Sequence, residues 1–374
     1  MRKSELWQDF AVFSLKTRRF SDHLARKPPS IDWTPPMTAP IPSAAPLTEI
    51  WRGSLLESLH LGHAVICNGA GEVVQSWGNP DALIYPRSSC KMIQALPLLT
   101  SGAAARYGLR SEQLALACAS HNGARIHIDR VGQWLDQLGL GEGDLRCGAQ
   151  MPRDPEVMQA LIKTDDSPCQ IHNNCSGKHA GFLTLSQHLG AGPDYHEIDH
   201  PVQQACQEAF EEATGESSPT YGIDGCSAPN FASTVTGLAR AMGWFASAHT
   251  RATRADQAAV DLRNAMALHP ELVAGEGRAC TALMRDMGGK VSVKTGAEGV
   301  FVAILPEQQL GIALKVADGA TRAAECAIAA LLVSLGALDP ASPSARAYLD
   351  APITNWNGIH CGEMRPAAEL VFAR

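Results

Sequence analysis

Strand-forming sequence stands at both ends of the folded body, and a long helical middle keeps the two runs apart. Residues 62–67 and 72–77 flank the turn Asn68-Gly69-Ala70-Gly71, and residues 290–295, 299–305 and 310–316 follow one another through short connections near the other end. Turn residues bounding short apolar runs are the signature of antiparallel hairpins. Between them, residues 111–285 carry the three-to-four-residue apolar spacing of helices, as over 126–138, 202–213 and 255–267. Hairpins so distant in sequence bury their apolar faces only by joining, which predicts an α+β fold with one antiparallel sheet of about five strands. Residues 88–99, broken at Pro97, and residues 322–335 predict the first and last helices, which would flank it. The helical middle then forms a second lobe, and the cleft between lobes is the natural place for a small molecule.

Residues 27–46 read KPPSIDWTPPMTAPIPSAAP, a proline-rich stretch with little to bury. Residues 1–46 are therefore expected to be an extension, with a short helix within 1–26, and residues 47–374 the folded domain. A formal net charge of −7 without a long basic run speaks against nucleic acid or an anionic membrane as partner. No apolar stretch is long enough to span a bilayer. The first 20 residues mix Glu5 and Asp9 with basic residues and lack a signal-peptide core, so a cytoplasmic protein is expected. Its 11 cysteines then read as thiols or ligands rather than a disulfide framework. No glycine-rich phosphate loop is present.

Three short motifs carry chemistry. Ser88-Ser89-Cys90-Lys91 is S-x-x-K at a helix start, where residues three apart share a face and backbone N–H groups favour developing negative charge. A lysine made partly neutral by burial or nearby cations can take a serine proton. Ser120-His121-Asn122 follows an apolar run, and Lys294-Thr295-Gly296 ends a strand, where an ammonium, a hydroxyl and backbone N–H groups can face an acyl oxygen. Each has a plainer reading alone: a capping serine with a solvated lysine, a capped loop, a hairpin turn. In this order they form the motif set of the serine β-lactamases and penicillin-binding proteins, which the chain resembles. The short gap from Lys91 to Ser120 and the lack of an export signal set it apart from a true β-lactamase.

Further segments narrow the resemblance. His172-Asn173-Asn174-Cys175-Ser176-Gly177-Lys178-His179-Ala180-Gly181, Tyr221-Gly222-Ile223-Asp224-Gly225-Cys226 and Cys147-Gly148-Ala149-Gln150-Met151-Pro152 are similar to the asparaginase II family of rhizobial-type inducible asparaginases, over residues 47–340. The resemblance implies a serine β-lactamase-like fold, a homodimer, and hydrolysis of L-asparagine to L-aspartate and ammonia. It implies a zinc site whose ligands match Cys175, Lys178 and Cys226, with Asp224 orienting Lys178 or substrate. Thiolates suit zinc, whereas a lysine ligand must be neutral. His179 is open between a residue behind the ligands and an alternative ligand. His121 is open between a core histidine and a substrate contact.

The expected chemistry is acyl transfer. Ser88 attacks the side-chain amide with Lys91 as base, Ser120 and Lys294 relay protons to the leaving ammonia, and water hydrolyses the ester. Arg87, His121, Asn122, Asp224, Thr295 and Gly296 are the expected substrate contacts, Arg87 through the two-point fit of its fork to a carboxylate. The rivals are a serine-dependent glutaminase or general amidase with the same residues, and a non-catalytic zinc-binding protein of the same fold. The second has no need of two serine-lysine pairs. A metallohydrolase lacks its H-E-x-x-H spacing here.

Overall fold

The computed structural model describes residues 43–370. The expected helix within residues 1–26 and most of the proline-rich extension lie outside the described residues. Ala45 and Pro46, expected in that extension, instead open the first strand.

The sheet has eight strands, not about five. They are β1 (Ala45–Arg52), β2 (Leu55–Asn68), β3 (Val73–Trp77), β4 (Ser292–Thr295), β5 (Val300–Leu305), β6 (Leu310–Val316), β7 (Ala351–Thr354) and β8 (His360–Pro366). Their order is β7-β8-β1-β2-β6-β5-β4, with β3 on β2, and every pairing is antiparallel. The five expected strands are all present. The additional three are β1, whose Pro46 disguises it, and the half-exposed pair β7 and β8, whose apolar alternation is weak. Two two-stranded ribbons, Leu83–Ile84 with Ser233–Thr234 and Tyr221–Ile223 with Pro229–Phe231, stand apart from this sheet.

The turn after β2 follows from Asn68. Its Oδ1 accepts the N–H groups of Ala70 and Glu72, and its main chain closes on Glu72 O. This is the local side-chain capture that makes asparagine a turn former. The chain's two ends meet where β6 pairs with β2, setting Ile312 opposite Ile66 and Leu314 opposite Ala64. β5 is buried along its whole length, so the sheet is covered on both faces there.

The helix Thr321–Ser334 covers β1, β5, β6 and β8, as the last helix was expected to do. The other large cover is the helix Val235–Ser247, from the middle of the chain, rather than the first helix. It comes in so close that a Cβ on Gly311 of β6 would sit 2.0 Å from Gly243 N. Only glycine fits such a contact. The first helical segment, Arg87–Cys90 (3-10) continuing as Lys91–Gln94 and, beyond Ala95, Leu96–Thr100, lies across the ends of β4 and β5. The break falls where Pro97 enters the first turn of the last piece.

Among the described residues no helix is long and apolar enough to cross a membrane. All 11 cysteines are free thiols.

Candidate active site

The site is assembled where three backbone segments meet. Pro86 leads into Arg87, whose φ of 53° is left-handed, and the 3-10 turn Arg87–Cys90 follows. Glycine takes up such a φ freely, whereas an arginine there costs on the order of 1–2 kcal/mol and must be held by its surroundings. Arg87 is held by Asp224: its Nε and Nη2 reach Asp224 Oδ1 at 2.9 and 2.7 Å. Asp224 was expected to orient Lys178 or substrate, and Arg87 to bind a substrate carboxylate; the structure pairs the two with each other, and the Asp224 charge also faces Lys178.

Ser88, on this turn, is partly exposed, and its hydroxyl makes no hydrogen bond among the described residues. Ser89 points inward and donates to Pro86 O at 2.7 Å. Lys91 is buried, and its Nζ donates to Ser120 Oγ at 2.9 Å, to Cys175 Sγ at 3.1 Å and to Ala119 O. All three ammonium hydrogens thus have acceptors, and the serine that Lys91 holds in this structure is Ser120 rather than Ser88.

Lys294 closes the cluster from β4. Its Nζ lies 2.9 Å from Ser120 Oγ and 2.9 Å from Thr295 O. One hydroxyl oxygen therefore bridges two buried lysine nitrogens. Burial, with the Lys91 charge adding to it, lowers the Lys294 pKa to about 7. Two ammonium groups on one oxygen repel, so the second lysine gives up its proton most readily.

Thr295 N–H donates to Cys280 Sγ at 3.3 Å, and Gly296 N–H to Val300 O at 2.7 Å. A Cβ on Gly296 would meet Pro86 O at 2.5 Å, so this glycine lets the end of β4 lie against the serine turn. Ser120 is fixed through its own N–H, which donates to Val273 O at 2.9 Å.

Asn122 was expected at the substrate, and His121 either there or in the core. The structure puts His121 in the core: its ring is 0% exposed, stacked on His127 at 4.7 Å, with Ser176 Oγ at 3.0 Å and the Gly123 N–H at 3.2 Å from its nitrogens. Burial and the neighbouring His127 hold its pKa well below the ordinary value. Asn122 is likewise buried. Its Oδ1 accepts from Ala124 N, and Gly275 (φ 104°) packs against its side chain. Residues 273–280 thus run from Ser120 past Asn122 to Thr295. Sequence reading missed this wall, whose signal was Gly275-Glu276-Gly277.

The remaining motifs support a sulfur cluster. Asn173 Nδ2 donates to Cys147 O and Gly148 O, and Gln150 Oε1 accepts from Asn174 N, so residues 147–150 cradle the turn before Cys175. The helix Ser176–Leu189 is buried through its first eleven residues, which carries both Lys178 and His179 into the interior. Lys178 Nζ lies 3.1 Å from Cys226 Sγ. A hydrogen bond from Cys175 holds the Cys226 thiol well below its ordinary pKa, and the same bond holds Cys175 well above. Burial alone would lower Lys178; the facing charges of Cys226, Cys175 and Asp224 outweigh it and push its pKa up. Burial lowers His179 to about 4.

Two thiols, an amine and the buried His179 Nε2, which lacks a hydrogen-bond partner, fit a soft divalent ion in donor type. Among the described residues no three His, Cys, Asp or Glu side chains are grouped to hold a metal, so such a site depends on Lys178.

On this α+β fold a serine bridges two buried lysines beside a partly exposed serine on a left-handed turn. The model of the L-asparaginase II family matches residues 48–366, and the chain belongs to that family of amidohydrolases. Solved structures that resemble it include Mglu in its native form, with 14% identity, a TM-score of 0.42, and coverage of 75% of this chain and 66% of Mglu. A putative β-lactamase from Bacteroides dorei has 11% identity and a TM-score of 0.38 over 68% of this chain and 84% of its own. A β-lactamase from Mycobacterium bovis has 14% identity and a TM-score of 0.32 over 73% and 94%. The chain spans just under two thirds of the length of Mglu. No curated protein matches it in sequence.

Proposed function

We propose that this chain hydrolyses L-asparagine to L-aspartate and ammonia through an ester on Ser88. The observation that carries the reading is Ser120 Oγ lying 2.9 Å from both Lys91 Nζ and Lys294 Nζ. A proton can pass from Lys91 through the Ser120 hydroxyl to neutral Lys294. That leaves Lys91 uncharged, one helical turn from Ser88, as the base its attack needs.

Ser88 Oγ adds to the side-chain amide carbon and its proton goes to Lys91. Backbone N–H groups at the turn stabilise the oxyanion. The proton held on Lys294 returns through Ser120 to the amide nitrogen, the C–N bond breaks, and ammonia leaves. Water then adds to the ester by the reverse proton path, releasing aspartate and Ser88.

Asparagine brings a carboxylate and an ammonium on one carbon. Arg87 and Asp224 offer the complementary pair of charges beside Ser88. Cys175, Lys178 and Cys226 would hold a zinc ion, which supplies a fixed positive charge beside the cluster. The same reading takes the enzyme as a cytoplasmic homodimer, which sedimentation checks for its oligomeric part.

The test is ammonia release from L-asparagine and L-glutamine by the native chain, Ser88→Ala and Ser120→Ala, with intact mass on quenched reactions. The expected result is asparagine turnover, lost in Ser88→Ala and lowered in Ser120→Ala, with an acyl mass on the quenched native chain that is absent when Ser88 is replaced. Full activity in Ser88→Ala refutes the assigned nucleophile. Turnover of glutamine alone refutes the substrate, since one methylene is worth only about 1–3 kcal/mol in a pocket and the site is then shaped for the longer chain.

A further inference from the structure

The hairpin that carries Asp224 holds a buried amide with no partner. Tyr221–Ile223 pairs with Pro229–Phe231, and Gly222 stands opposite Asn230. The Asp224 N–H donates to Ala228 O at 2.9 Å and carries the ladder one pair further. Side chains alternate along a strand, and opposite residues share a face. Tyr221 and Phe231 take one face, with ring centroids 6.4 Å apart and Phe231 6.1 Å from Phe210. Gly222, Asp224 and Asn230 take the other. That face meets the segment leading into Ser88: a Cβ on Gly222 would stand 3.3 Å from Tyr85 Cζ, and Asp224 Oδ1 accepts from Arg87.

Asn230 is 3% exposed, and neither its Oδ1 nor its Nδ2 has a hydrogen-bond partner among the described residues. Among those residues it is the one buried amide bare at both ends. An amide offers two hydrogens and a carbonyl oxygen. Leaving both ends unpaired in the interior is unfavourable, which is why buried polar groups are nearly always hydrogen-bonded. An apolar side chain of the same size would fill this position without that cost. The partner of the amide therefore comes from outside the fold, and it must bring both an acceptor and a donor.

We propose that Asn230 is a specificity-determining residue that binds the groups on the α-carbon of the amino-acid substrate: its Nδ2 donates to the α-carboxylate and its Oδ1 accepts from the α-ammonium. Arg87 and Asp224, at the same face of the hairpin, supply the charges, and Asn230 supplies a neutral donor and acceptor between them. Tyr85, 40% exposed, lies over Gly222 at the neighbouring position, and turning of its ring opens the way to the amide. The identity of the ligand rests on the asparagine hydrolysis proposed above; the unpaired amide does not.

The test compares the full native chain with Asn230→Leu and Asn230→Asp, both close to asparagine in size, by thermal melting and by steady-state ammonia release. Without ligand, Asn230→Leu should melt no lower than the native chain, since it deprives no group of a partner. Its KM for asparagine should rise about 10–100-fold, the worth of hydrogen bonds to charged groups, with kcat little changed. Asn230→Asp turns the donor facing the carboxylate into an oxygen, so its loss should be larger with asparagine than with 3-aminopropanamide, which lacks that carboxylate. An unchanged KM in Asn230→Leu overturns the proposal. So does a ligand-free Asn230→Leu chain that melts clearly lower or fails to fold, because the amide then has a partner within the fold. If the native chain releases no ammonia from asparagine, the hydrolase reading fails by itself. Melting with glycine, L-aspartate or L-glutamine added then decides the subsite: a rise in the native chain that Asn230→Leu loses keeps it, and the absence of such a difference removes it.

Discussion

Arg87 reaches a single oxygen of Asp224 with two of its nitrogens, at 2.9 and 2.7 Å, while standing in a left-handed conformation immediately before Ser88. That oxygen, Oδ1, also accepts the Gly225 N–H. Oδ2 and the Arg87 Nη1 are left without hydrogen bonds among the described residues. The pair is thus a clamp on the serine turn with one acceptor and one donor to spare. Those spare groups match the α-ammonium and α-carboxylate of an amino-acid substrate.

Arg87→Gly tests the clamp cleanly, because glycine keeps the left-handed φ without strain and removes only the side chain. The expected outcome is a kcat/KM for asparagine lower by about 10–100-fold, the worth of a charged hydrogen bond of about 1.5–3 kcal/mol. The melting temperature should not fall. Comparison with 3-aminopropanamide, which lacks the α-carboxylate, locates the loss: the native chain should prefer asparagine strongly and Arg87→Gly should not. Retained preference in Arg87→Gly removes Arg87 from substrate recognition.

Lys294 sets a pH dependence in the neutral range. Its pKa is lowered from 10.5 to about 7, chiefly by burial. If the relay needs Lys294 neutral, kcat/KM rises through an inflection near pH 7 as pH increases. The stability sign follows separately. Between about 7 and 10.5 the unfolded chain holds this proton and the folded chain does not, so stability rises with pH across that window and is lost as pH falls through about 7. Chemical denaturation of the native chain and Lys294→Met at pH 6 and pH 9 should show that slope shrinking in the variant. An equal slope in both places the titration elsewhere.

The four groups of the serine-lysine cluster were legible in sequence because S-x-x-K, S-x-N and K-T-G each sit at the end of a regular element whose pattern is itself legible. Their pairing was less so. Lys91 holds Ser120 because residues 119–120 cross its path, a tertiary fact with no local sequence signal. Arg87 with Asp224, 137 positions apart, is of the same kind. In the fold, the strands with strong alternation were found, while β7 and β8, half-exposed at the sheet edge, carry too little apolar contrast to announce themselves. Val235–Ser247 read as one more helix of the second lobe, although Gly243 was the mark of its close packing on β6.

Ser120 serves both lysines, so its loss should exceed that of an ordinary buried hydroxyl. Ser120→Ala strips one acceptor from Lys91 and one from Lys294, both 1% exposed. Leaving such donors unsatisfied costs about 1–3 kcal/mol of stability, and losing the relay lowers kcat by about 10²–10⁴. Denaturant titration and steady-state kinetics measure the two effects. A stability loss with kcat intact would make Ser120 a structural bridge only.

Gly296 links stability and activity at one atom. Its missing Cβ leaves room for Pro86 O, and a methyl there would stand 2.5 Å from that oxygen and 3.3 Å from Ser89 N. Both contacts are to backbone, so no side chain can swing away. Gly296→Ala must separate the end of β4 from the turn that carries Ser88. Overpacking of this kind costs about 1–3 kcal/mol. The displacement also moves Ser88 relative to Lys294, and misplacing a reacting group by about 1 Å can cost on the order of 100-fold in rate. The expected outcome is a folded, less stable chain whose kcat falls more than its KM rises. A control at Gly288, which has a positive φ but nothing within 4 Å of its Cβ position, should lose some stability and keep its kcat. Equal kcat in Gly296→Ala and the native chain would show that the turn and the strand end need not touch for catalysis.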